Sequence, residues 1–152
     1  MKANTKNTLK WALTGILLLG LLASVITLFV KLDRQTNTTV IGGEAYSIGV
    51  LDDSGEVTDG DTAIYLRTPV TTDGLKVTVA KDAKVTYKLY FYDVDGKFVS
   101  ATTAQSADYN GTIPTTAETV RVVITPTEDK DGKVSVFEVL GYAEQITVTV
   151  NK

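Results

Sequence analysis

Hydrophobic and polar positions divide this chain into two regimes. From Trp11 to Val30 the sequence WALTGILLLGLLASVITLFV runs twenty residues without a charge, between Lys10 and Lys31. A helix rises about 1.5 Å per residue, so a run of this length reaches about 30 Å, the thickness of a bilayer's hydrocarbon core. From Val40 onward the period is two. Short alternations of β-branched or aromatic residues with polar ones are punctuated by Ser54-Gly55, Asp59-Gly60, Asp73-Gly74, Asp95-Gly96, Asn110-Gly111 and Asp131-Gly132. Such dipeptides supply the positive φ of tight hairpin turns. The pattern predicts one transmembrane helix followed by one all-β domain.

Two other readings compete for the apolar run. A cleaved signal has an apolar region of about 7–15 residues and a small-x-small cleavage site. Here the run is longer and continues through Ile26-Thr27-Leu28-Phe29-Val30 without one, and the absence of cysteine removes lipoprotein processing. A buried core helix carries a polar face, whereas only Thr14, Ser24 and Thr27 are polar here. The run reads as an uncleaved anchor at residues 11–30. Lys2, Lys6 and Lys10 precede it with no acid, while Lys31 and Arg34 follow with Asp33. Positive charge stays cytoplasmic. This predicts a single-pass cell-membrane protein with a cytoplasmic tail at 1–10, a stalk at 31–39 and an extracellular domain at 40–152. Gly20 and Ser24, four residues apart, form a small-xxx-small pattern that would suit a helix-mediated homodimer.

In the domain, eight strands are predicted: Ala45–Leu51, Ala63–Arg67, Leu75–Ala80, Lys84–Tyr92, Lys97–Ala101, Thr119–Thr125, Lys133–Val139 and Glu144–Val150. The alternation in Lys84–Tyr92 places Val85, Tyr87, Leu89 and Phe91 on a core face and Lys88, Tyr90 and Tyr92 on the other. Ile64 and Leu66 point inward with Tyr65 and Arg67 opposite. Val120, Val122 and Ile124 point inward with Arg121 and Val123 outward. Ile146, Val148 and Val150 line the last strand's inner face. Half-buried strands at this spacing predict an all-β, jelly-roll-like antiparallel sandwich of about eight strands.

Charge narrows the partners. From Leu32 onward there are 11 Lys and Arg against 18 Asp and Glu, a net of −7. An acidic surface repels phosphates, so nucleic acid is not an expected partner. The chain has neither Cys nor His. Disulfide stapling and Ser-His-Asp catalysis are thereby excluded, with histidine acid–base chemistry and most zinc sites. The 18 acids include no pair that stands out by spacing as a glycosidase dyad. No enzymatic activity is expected.

The stretch Tyr90–Ile124 reads YFYDVDGKFVSATT, then a polar loop, then GTIPTTAETVRVVI. It resembles galactose-binding-like β-sandwich modules of surface and phage structural proteins in Firmicutes. The matching positions are Tyr92, Asp93, Asp95, Gly96, Phe98, Val99, Ser100, Ile113, Pro114, Ala117, Val120 and Arg121, within about 35 of 152 residues. The whole layout is similar to single-pass membrane proteins of Firmicutes that carry one such module. The resemblance implies a jelly-roll fold and a surface location, and several such modules bind carbohydrate. The soluble part lacks Trp, the best sugar-stacking residue, leaving tyrosine for that role.

Two candidate sites follow. Tyr65, Arg67, Lys88, Tyr90, Tyr92 and Arg121 share one sheet face if their strands are neighbours, and rings with hydrogen-bond donors suit a polyol. Tyr90 and Tyr92 would stand exposed about 7 Å apart, near one sugar's span. On that reading Tyr92→Ala weakens glycan binding by about 1–3 kcal/mol without much loss of stability. The competing reading is a solvated sheet face with Tyr–Lys and Tyr–Arg contacts. Asp52 and Asp53, with Asp59 and Asp61, cluster oxygen donors for calcium, and Asp93 and Asp95 form a second pair; turn formation beside Gly is the competing role. No cofactor other than calcium is suggested. The expected function is a membrane-anchored extracytoplasmic binding module for cell-wall or host glycan. The alternative is a structural or protein-interaction module of an envelope complex with no small-molecule ligand.

Overall fold

A computed structural model describes residues 16–17, 19–27, 38–128 and 132–152. The chain divides between Asn37 and Thr38. On the N-terminal side, residues 16–17 and 19–27 are helical, with Ile16, Leu17, Leu19, Leu21, Leu22 and Ile26 exposed. Ser24 and Thr27 each donate a hydroxyl to the backbone carbonyl four residues earlier, Gly20 at 2.9 Å and Ala23 at 2.8 Å. Among the described residues no helix is long and apolar enough to cross a membrane. The expected tail, Trp11 and stalk residues 31–37 lie outside the described residues.

The C-terminal unit is mostly β. Its strands are β1 (Thr38–Ile41), β2 (Tyr46–Ile48), β3 (Val50–Leu51), β4 (Val57–Thr58), β5 (Ile64–Leu66), β6 (Val70–Thr71), β7 (Lys76–Val79), β8 (Val85–Tyr92), β9 (Phe98–Ala101), β10 (Thr119–Pro126) and β11 (Ile146–Asn151). A 3-10 turn (Gly43–Ala45) precedes β2, and a short α-helix (Val139–Ala143) precedes β11. All strand pairs are antiparallel. One sheet has the order β1-β11-β7. The other runs β2-β5-β10-β8-β9, with β6 also on β10, and β3-β4 form a separate hairpin.

The longest alternating run became the central strand. β8 pairs with β10 from Tyr92↔Thr119 to Val85↔Pro126. That register stacks Phe91 beside Val120, Leu89 beside Val122 and Tyr87 beside Ile124 on the inner face. These side chains, with Ile64 and Leu66 of β5, meet Val77 of β7 and Ile146 and Val148 of β11 in one core. The inward positions read from the alternation are all buried. The result is a β-sandwich-like antiparallel fold compatible with a jelly roll. The loop after β9 closes both layers: Tyr87 and Gln105 exchange backbone bonds at 2.9 and 2.8 Å, and Tyr109 donates its N–H to Val77 at 3.0 Å.

Three expectations change. Thr38 and Thr39, assigned to the stalk, belong to β1 and pair with Asn151 and Val150. Alternation at the polar end of the strand was too short to reveal this. The Ala45–Leu51 strand breaks at Gly49, where φ is 154° and a Cβ would lie 2.7 Å from the Tyr65 ring. Lys133–Val139 is no strand. Ser135 donates its N–H at 2.8 Å and its hydroxyl at 2.6 Å to the Glu138 carboxylate, which closes a turn, and the helix follows from Val139. Val134, Val139 and Ala143 are buried beneath it.

Phe91 is the core side chain whose loss tests the sandwich most directly, since it is 2 % exposed. Phe91→Ala leaves a cavity and costs about 3–5 kcal/mol of stability. Urea unfolding of the wild type and variant measures it as a lower midpoint at unchanged slope.

Candidate functional site

The pairing register decides which of the six expected site residues meet. Paired residues of an antiparallel sheet point to the same face. Arg121 pairs with Tyr90, Val123 with both Lys88 and Tyr65, and Thr119 with Tyr92. Tyr65, Lys88, Tyr90, Tyr92 and Arg121 therefore share the outer face of the larger sheet. Arg67 lies just past the end of β5. Its guanidinium donates to the backbone carbonyl of Ala45 at 3.4 Å and to that of Glu44. It is committed to the 3-10 turn rather than to the shared face.

The outer face is not a solvated platform. Tyr90 and Tyr92 are each only 6 % exposed. They pack with Leu51, Ala63 and Val123 in a second apolar cluster, against Val50, Tyr65 and Phe98. The Tyr90 hydroxyl donates to the Leu51 carbonyl at 3.3 Å, and the Tyr92 hydroxyl to the Gly55 carbonyl at 2.6 Å. The Phe98 ring lies 6.2 Å from both tyrosine rings, edge-on to Tyr92. The expectation of two exposed tyrosines is thus corrected: the β3–β4 hairpin folds over them. Phe98 of β9 packs on this outer cluster as well. Lys88 remains exposed and Tyr65 is half-buried. The Arg121 guanidinium sits 5.8 Å from the centre of the Tyr92 ring, within cation–π range. Its Nε is buried without a hydrogen-bond partner, as is the hydroxyl of Tyr46.

Local sequence explains the cover. The Asp52 carboxylate accepts from the Ser54 N–H at 2.9 Å, the Ser54 hydroxyl at 2.7 Å and the Glu56 N–H at 3.0 Å. Gly55 follows at φ 76°, and a Cβ there would lie 2.6 Å from the Phe98 ring. Asp93 repeats the device between β8 and β9, accepting from the N–H groups of Asp95 at 3.0 Å and Lys97 at 2.8 Å, with Gly96 at the same φ. Both are Asp-x-x-Gly turns in which the carboxylate satisfies the loop amides. That spacing, and the apolar Val123 on a supposedly wet face, were the sequence signals for a covered surface.

The acidic loops form no cation cage. Asp52 is spent on its turn, and these hydrogen bonds hold its carboxyl below the usual carboxylate range. Asp61 pairs with Lys133 at 2.8 Å, and the hydrogen bond from that ammonium lowers its carboxyl. Asp53 and Asp59 are exposed. Among the described residues no group of three or more acidic side chains is placed to hold a metal ion. Calcium coordination as expected from Asp52, Asp53, Asp59 and Asp61 has no geometric support.

Two grooves flank the 3-10 turn. One, of about 410 Å³, is lined by Ile41, Glu44, Ala45, Leu66, Arg67, Thr68 and Val70. The other, of about 320 Å³, lies between β2 and the C-terminal helix and is lined by Tyr46, Ser47, Ile48, Val136, Val139 and Leu140 with Gly43 and Glu44. Beside it, Phe137 is 97 % exposed and Val136 76 %. No family model, curated protein or solved structure matches this chain.

Burial pushes the Tyr92 hydroxyl up to about 12, with Arg121 opposing the shift. The raised value means that folding favours the neutral phenol. This contribution to stability is complete below the ordinary value of 10 and is lost as pH rises through about 12. Gly55→Ala forces a side chain into a left-handed position against Phe98, costs about 1–3 kcal/mol and lifts the hairpin. Absorbance titration then shows the Tyr92 ionisation moving from about 12 toward 10, with that of Tyr90 falling as well.

Proposed function

We propose that this chain is a single-pass, membrane-anchored module of the galactose-binding-like jelly-roll type, and that its extracytoplasmic domain works by holding a protein partner. The observation that carries the choice is the exchange of surfaces. The tyrosine side chains that would stack a sugar, Tyr90 and Tyr92, are built into a second core, while Val136, Phe137 and Leu140 stand in solvent. Exposed apolar side chains at this density favour association with another protein. A glycan site needs ring faces and donors that remain open to a polyol, and Tyr90 and Tyr92 offer neither.

The jelly-roll assignment is supported by where the shared motif falls. Tyr92, Asp93, Asp95, Gly96 and Phe98 build the β8–β9 turn, and Val120 and Arg121 lie on β10. The anchor reading is supported by the helical residues 16–17 and 19–27. Their apolar side chains are exposed, and their two hydroxyls are satisfied inside the helix, as hydrocarbon surroundings require.

Protease added to intact cells removes the domain and leaves the anchor in the membrane; a domain protected until the membrane is breached refutes the orientation. A photoreactive amino acid at position 137 of the full chain, activated in intact cells, yields adducts with one protein species. Glycan-array binding by the full chain, with no protein adduct at 137, would return the assignment to carbohydrate.

A further inference from the structure

The free edge of β2 shows how such a partner is held. The bonds from the Arg67 N–H to the Ala45 carbonyl at 3.0 Å and from the Gly49 N–H to the Ala63 carbonyl at 3.1 Å set the alternation. Ala45, Ser47 and Gly49 turn their amide groups toward β5, so Tyr46 and Ile48 turn theirs away from it. The Tyr46 N–H is taken by the Gly43 carbonyl. The Ile48 N–H, the Ile48 carbonyl and the Tyr46 carbonyl have no backbone partner among the described residues. These groups border the groove lined by Ile48, Val136, Val139 and Leu140. An unpaired edge beside an apolar wall is what an extended chain fills, with main-chain bonds for affinity and alternate side chains for the wall.

Charge selects among extended chains. Glu44 lines the groove, and Glu138 stands at the start of its helical wall, its carboxylate accepting from Ser135. Neither carboxylate has a cationic partner among the described residues, whereas Lys133 is already paired with Asp61. The rim is acidic, like the domain. Resting on the protein-partner reading, we propose that the β2 edge takes an extended segment of the partner as an added strand, with small apolar side chains toward Val136 and Leu140 and a Lys or Arg toward Glu44 and Glu138. The same rim disfavours an anionic lipid surface.

The test uses the full chain in detergent micelles with the peptide acetyl-KVTVTVK-amide as probe. Amide exchange followed by NMR is expected to show saturable protection of the Ile48 N–H. A Glu-flanked peptide, acetyl-EVTVTVE-amide, binds at least about tenfold more weakly, and N-methylation of the central valines abolishes binding. Val136→Ser, at a groove position too exposed to affect folding, weakens the probe about fivefold or more. The proposal is overturned if the Lys-flanked peptide leaves Ile48 unprotected, or if N-methylation makes no difference. It is equally overturned if phosphatidylglycerol vesicles, rather than the peptide, protect residues 136–140. Protein adducts at position 137 that persist while Ile48 stays unprotected defeat strand addition and leave the protein-partner reading standing. Loss of both defeats both.

Discussion

A strand pair that is apolar on both faces must be covered twice, and this domain is organised around meeting that demand. β8 and β10 form the longest ladder in the fold. Their inner face carries Phe91, Leu89, Tyr87, Val120, Val122 and Ile124, and the three-stranded sheet covers it through Val77, Ile146 and Val148. Their outer face carries Tyr90, Tyr92 and Val123. Left in water it would forfeit about 25 cal/mol for each Å² of apolar surface exposed. A two-stranded hairpin supplies the missing cover.

That hairpin is small, so its turn matters more than its strands. Asp52 ties three donors to one carboxylate, and Gly55 adopts the left-handed conformation that brings its carbonyl to the Tyr92 hydroxyl. Each tyrosine keeps a hydrogen bond while losing its water, which is the condition for burying a phenol at modest cost. Burial in turn raises the tyrosine hydroxyls' pKa, so the cover and the titration are one phenomenon. Arg121 lies beside Tyr92, its charge over the ring face.

Completing one face leaves another incomplete. β2 stands at the end of the larger sheet, and the helix at Val139–Ala143 packs near it without pairing. The turn that starts this helix holds Val136 and Phe137 outward, because Ser135 and Glu138 hold each other and fix the chain's path. The apolar exposure is thus a product of a hydrogen-bonded turn, beside backbone groups that an added strand would satisfy.

The chain order of residues was enough to locate the strands that alternate strongly. Val85 to Phe91, Val120 to Ile124 and Ile146 to Val150 declare their inner faces because the side-chain period of a strand is two and one face must be dry. The register that brings Arg121 to Tyr90 could also be anticipated as a shared face. Alternation cannot say whether the second face is wet, since that depends on a segment more than thirty residues away, Leu51 to Gly55, folding back across it. Nor does the Val-x-Val-Phe-x-Val pattern of residues 134–139 distinguish a strand from a turn leading into a helix when side-chain hydrogen bonds within the turn decide the issue. Local period is encoded along the chain; which surfaces remain uncovered is a property of long-range contacts, and only the assembled sheets set it.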